Sequence, residues 1–175
     1  MTPTAPADSV TASLDALVSA LADEQRCYAD LLDLARQQGK LMTTHDLDAL
    51  DENSRLMSAG LAAAEEARIG RERLAATVMA AAGAAGPQTL SQWLTTQPRP
   101  VRERLVGPVQ SVRRAAGELA RANEANRRLA NFCLDLVEEE ATLLRRCLLE
   151  DPAGRYDRGA RPTTNGQGGV LRRQA

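Results

Sequence analysis

VTASLDALVSALADEQRCYADLLDLA, residues 10–35, decides the fold. Val10, Leu14, Leu17, Leu21, Glu24, Tyr28, Leu31 and Ala35 alternate at spacings of four and three, the pattern of a helix lying along another helix. Val18, Leu32 and Leu34 widen the stripe, so this helix can touch more than one neighbour. Glu24 interrupts it with a carboxylate. Gly39 is a weak point near its end, and Thr43 as N-cap with Asp46 three residues on starts the next helix.

Working outward, a second helix runs through Leu47, Leu50, Leu56, Met57, Leu61, Ile69, Leu74 and Val78, with a weaker stripe that shifts register near Arg68. AAAGAAGP, residues 80–87, ends it. Thr89 and Gln92 are spaced as a capping box for a short helical turn to Leu94, and TTQPRP, residues 95–100, breaks that turn. The last helix begins at Pro100 or at Pro108, where proline suits a first helical position, and Asp151-Pro152 stops it. Its seam is Val112, Ala116, Leu119, Asn123, Asn126, Ala130, Cys133, Val137, Glu140, Leu144 and Cys147, broadened by Leu129, Leu134, Leu136, Leu143 and Leu148.

The expectation is an all-α fold: an elongated antiparallel three-helix bundle or coiled coil with a short extra helix and disordered tails. Its helices cover about 10–42, 44–82, 89–95 and 101 or 108 to 150, between a disordered leader at 1–9 and a flexible basic tail at 151–175. A chain of 175 residues suits one domain plus tails. Aromatics are only 2% of it, which favours thin leucine–alanine helix seams over sheets built on aromatic and β-branched residues.

Charge narrows the function. The net charge is −1, which argues against general nucleic-acid binding. In residues 151–175 five arginines against Asp151 and Asp157 give +3, leaving −4 for the rest. No stretch approaches the ~18 apolar residues of a membrane span, so no membrane insertion is expected. MTPTAPADS lacks a basic start and an apolar run. Cys27, Cys133 and Cys147, odd in number and on helical apolar positions, suit a reducing compartment. A cytoplasmic location is expected.

Catalysis has little to stand on. His45 is the sole histidine, beside a helix start. Paired Glu-x-x-His motifs for a bundle di-iron site are missing. Cys133 and Cys147 stand two heptads apart on one helix, roughly 21 Å and beyond any shared metal. No glycine-rich phosphate loop or nucleophile elbow is present. We expect no enzyme, no cofactor and no metal. Asn123 and Asn126 in a leucine seam, with Glu24 across from them, are read as a polar layer that fixes register or partner choice.

Leu119-Ala-Arg-Ala-Asn123-Glu-Ala-Asn126-Arg127-Arg-Leu129-Ala resembles the L-x-x-x-N-x-x-N-R-x-L-L signature of the FlgN-type flagellar export chaperones. Glu24 to Leu32 is similar to that family's E-x-x-x-Y-x-x-L-L run. Asp46-Leu47-Asp-Ala-Leu50 resembles its G-D-L-x-x-L helix start, with Thr-His before Asp46 where a glycine is common. Tyr156-Asp-Arg-Gly159 resembles a short tyrosine–glycine element after its final helix. The likeness covers roughly residues 10–160.

The resemblance implies a cytosolic chaperone that holds hook-associated (hook–filament junction) proteins before flagellar type III export. On this expectation Asn123, Asn126, Leu129, Leu136, Leu143 and Leu148 bind the client, and Tyr156 with Gly159 contacts the export gate. The alternative is a homo-oligomeric coiled-coil scaffold without secretion clients; a homodimer is compatible with the same seams.

Overall fold

The computed structural model describes residues 7–149 apart from 45, 85 and 87, with side chains over 11–147. Four helices follow in order: α1 (Ala7–Thr44), α2 (Leu47–Ala81), α3 (Leu90–Thr95) and α4 (Arg99–Leu149). There is no strand among the described residues, and the fold is all-α. The chain divides into two compact units, residues 1–129 and 130–175.

In the first unit the α1 seam holds along its length. Leu14, Leu17, Leu21, Leu31 and Ala35 are buried, and Glu24 with them. Asn53 of α2 donates from Nδ2 to the Leu34 carbonyl at 3.2 Å, and Arg71 of α2 reaches Glu24, so α2 runs antiparallel to α1. Arg104 pairs with Asp15, and Asn126 bonds to the Ala35 carbonyl, so α4 runs parallel to α1. Two apolar clusters result. One joins Leu14, Leu17, Leu21, Ala75, Val78 and Leu105 with Trp93 and Leu94 of α3. The other joins Leu31, Ala35, Ala64 and Leu119.

The contact face of α2 keeps only part of the stripe read from sequence: Val78 is buried, and Leu74 and Met57 pack against the two clusters. Leu47, Leu56 and Leu61 are exposed, whereas Asn53, Ala64, Ala75 and Val78 are buried. Small residues let the two axes approach closely: a Cβ on Gly60 would stand 2.9 Å from Leu31 Cδ2. Dispersion and burial gain from such proximity even though each alanine is small.

Several boundaries differ from the sequence expectation. α1 opens at Ala7, ahead of Val10, and continues through Gly39 to Thr44. The Thr43 and Thr44 hydroxyls bond back to the carbonyls of Lys40 and Leu41, so Thr43 is not a cap. Asp46 is the N-cap of α2, accepting from the Ala49 amide at 3.1 Å, as the residue directly before the helix should. His45 lies outside the described residues. α4 begins at Arg99, one residue before the Pro100 alternative, and Pro108 lies inside it. Pro108 costs one helical hydrogen bond, and Gly107 before it carries no Cβ to clash with the proline ring.

The α2 end and the α3 start are locally encoded. Gly83 has φ of +71°, open to glycine. Its amide reaches the Ala80 carbonyl and the Ala84 amide reaches Met79, a Schellman ending. Thr89 and Gln92 form the capping box.

Candidate functional site

Two polar arrangements sit where the sequence suggested one layer. Glu24, 1% exposed, accepts from Arg71 Nε at 2.8 Å and from the Tyr28 hydroxyl at 3.1 Å. Burial first, and then the charge and hydrogen bond of Glu24, push the Tyr28 phenol above its ordinary range. Asn126 is occupied elsewhere. Its Nδ2 donates to the Ala35 carbonyl at 2.7 Å and to Gln38 Oε1 at 3.0 Å. Gly39 makes room for it, since a Cβ there would be 2.8 Å from Asn126 Oδ1.

A shared layer of Glu24 with Asn123 and Asn126 is therefore not formed. Asn123 is exposed, and Ala122 takes the inward position beside Leu119. The seam through Leu119, Ala122 and Asn126 steps by three and then four, so assigning Asn123 to it was one residue off. Between these positions Glu124 accepts from Arg127 and Arg128, whose guanidiniums hold its carboxyl down at about 2.

The second unit, taken by itself, supplies residues 130–149 of α4. The expected seam positions Val137 and Leu144 are 61% and 63% exposed. Phe132, Leu136 and Leu143 are exposed as well. At 100° per residue, Phe132, Leu136, Val137, Leu143 and Leu144 fall within roughly 140° of one another, with Glu140 among them and Glu139 at their edge, while Asp135, Glu138 and the exposed Leu134 lie outside that arc. Isolated exposed leucines are ordinary, whereas several on one stretch of helix make a larger apolar patch. Burying one leucine or phenylalanine of this kind is worth roughly 1.5–3 kcal/mol.

The sequence-predicted site residues fall apart accordingly. Asn123, Asn126 and Leu129 belong to the first unit; Leu136 and Leu143 belong to the exposed stripe of the second. The Leu148 side chain, Tyr156 and Gly159 lie outside the described residues. Phe132, Val137 and Leu144 were not singled out as binding residues. The signal for Phe132 was its identity, the chain's single phenylalanine at a spacing of three or four from Leu129 and Leu136. Among the described residues no group of His, Cys, Asp or Glu could hold a metal, and no helix is long and apolar enough to cross a membrane.

The described residues of the second unit thus expose aliphatic and aromatic side chains. No curated protein and no solved structure gives a significant match. The family model described as FlgN protein matches residues 11–162, most of the chain and a range that includes the positions of the four motifs quoted above. The chain belongs to the FlgN family, the flagellar export chaperones.

Proposed function

We propose that this chain is a cytoplasmic chaperone for hook-associated proteins, the hook–filament junction components, and that it holds them before export by the flagellar type III apparatus. The observation that carries this is the exposed stripe of Phe132, Leu136, Val137, Leu143 and Leu144. Clients that assemble through terminal helices need an apolar helical partner until they leave the cell, and helix-to-helix docking suits this stripe. On the family resemblance, Leu129, Leu148 and Asn123 are further client-binding residues. Asn126 is spent on Ala35 and Gln38, so its contribution to the client is indirect. Tyr156, with Gly159, is the export-gate contact; an aromatic ring gives large contact area with few rotors to freeze.

Calorimetric titration with hook–filament junction proteins, and with flagellin from the same bacterium, tests the client. Binding of a junction protein with flagellin silent is expected. Leu136→Asp with Leu143→Asp should abolish it while leaving thermal stability within about 0.5 kcal/mol, because both side chains are exposed. Retained binding by that variant would remove the stripe from the proposal. Absence of binding by the wild-type chain, with sedimentation showing a discrete oligomer that the double variant dissolves, would favour the scaffold instead. For the gate contact, Tyr156→Ala should lower export with client affinity and stability unchanged.

A further inference from the structure

A groove of about 290 Å³ lies between α3 and the start of α4, wholly within the first unit and separate from the client stripe. Arg102, Val106, Val109, Gln110 and Arg113 line it from α4, at steps of four, three, one and three that keep them on one face. Leu94 and Thr95 form the α3 wall. A second hollow shares Arg102, Val106 and Gln110 and continues the groove past Arg99 and Glu103.

Two properties of this groove are unlike those of an ordinary solvated face. Its floor is apolar at the centre, where Val106 is 38% exposed. Its two ends carry arginines with no carboxylate partner among the described residues: Arg113 reaches only the Ser91 hydroxyl, at 2.7 Å, and Arg102 has no ion pair. The one acid on the lining, Glu103, is already taken by Arg99 at 2.7 Å. Of the five arginines in residues 90–117, Arg99 and Arg104 are paired with Glu103 and Asp15, which leaves Arg102, Arg113 and Arg114 without a carboxylate partner among the described residues. Arg102 and Arg113 are three turns apart, roughly 16 Å along the axis.

We infer that the α3–α4 groove is a docking site for an acidic amphipathic helix of a partner protein. Its carboxylates would meet Arg102 and Arg113, and an aliphatic anchor would enter over Val106 and Val109. The volume sits at the bottom of the range for small-molecule pockets, roughly 300 Å³, and so suits an anchor side chain better than a whole small ligand. A nucleic acid would need cations at phosphate spacing without an apolar gap between them. A membrane surface would need a broad apolar face in place of a narrow groove. Arginine at both ends supplies planar forks matched to carboxylates.

The test uses the full-length chain and two fluorescein-labelled synthetic helical peptides with the same leucine stripe, one flanked by glutamates and the other by lysines. Fluorescence anisotropy should show the glutamate peptide binding the wild type. Each single change, Arg102→Ala or Arg113→Ala, should weaken it about two- to fivefold, as rim charge pairs do. Arg102→Glu with Arg113→Glu should weaken it at least about tenfold and let the lysine peptide bind instead. Both arginines are exposed, and circular dichroism checks that the variants stay folded. Equal binding of the glutamate peptide to wild type and the charge-reversed chain would overturn the inference. So would a loss that follows Leu136→Asp/Leu143→Asp, since that places the peptide on the client stripe. Phosphatidylserine vesicles that bind in an arginine-dependent way, with the peptide indifferent, would reassign the groove to lipid. Self-association abolished by the charge reversal, again with the peptide indifferent, would reassign it to a second copy.

Discussion

At the residue scale, Glu24 shows how one side chain can be read correctly as exceptional and wrongly as to partner. Its place in the seam was plain from spacing. Its partner was not, because Arg71 stands in a stretch of α2 where many charges have equal claim. With Glu24 buried and the Arg71 side chain 19% exposed, Glu24→Gln should leave a guanidinium poorly compensated and cost about 3 kcal/mol by urea denaturation. Replacing the pair together, Glu24→Leu with Arg71→Met, should restore most of that loss. Tyr28 adds a pH dependence. Its raised phenol contributes stability below the free value of 10.0 and loses it as pH rises through the folded value. Melting temperature should therefore fall more steeply above pH 10 for the wild type than for Tyr28→Phe. Gly39 and Asn126 couple likewise. Gly39→Ala should stabilise an Asn126→Ala chain by about 1 kcal/mol through helix propensity, and stabilise the wild type less, because the new Cβ displaces Asn126.

At the scale of the element, caps and turns were legible because they are local. The capping box at Thr89 and Gln92 and the glycine ending at Gly83 both follow from chemistry within five residues. Thr43 misled because two threonines next to an aspartate offer three N-cap candidates, and only the chain's tertiary path selects one. Pro108 misled in the opposite way: proline's preference for a first turn is strong, yet α4 runs through it from Arg99. Pro108→Ala would return the amide that can bond the Arg104 carbonyl, and should raise stability by about 1–3 kcal/mol in chemical denaturation. A decrease would mean that the proline ring packs in a way the helix needs. Part of the α2 face was hidden because alanine and glycine carry almost no hydropathy signal, even where they set the distance between helices.

For the whole molecule, the division at residue 129 has a thermodynamic meaning. Residues 11–129 bury two apolar clusters and two polar ties, whereas 130–147 leave their leucines exposed. The sequence pattern runs through both without a break, since a heptad records that a helix has a partner and not whether the partner is in the same chain. Hydrogen exchange should separate the two. Amides of Leu17, Leu31 and Leu105 should exchange slowest, those of 132–147 fastest, and a bound client should protect the latter by at least about tenfold while leaving the former unchanged. Uniform protection along α4 in the free chain would contradict the exposed stripe.

Trp93 is the chain's one tryptophan and is 2% exposed, packed among Leu14, Leu17, Ala75, Val78 and Leu105. The molecule thus carries a built-in optical probe that looks at one place alone. Its emission reports whether the α3 end of the bundle is closed, shifting to the red when that cluster opens. A dye placed on the exposed thiol of Cys147 would watch the other unit, and the two colours together would tell unfolding from loading in a single cuvette.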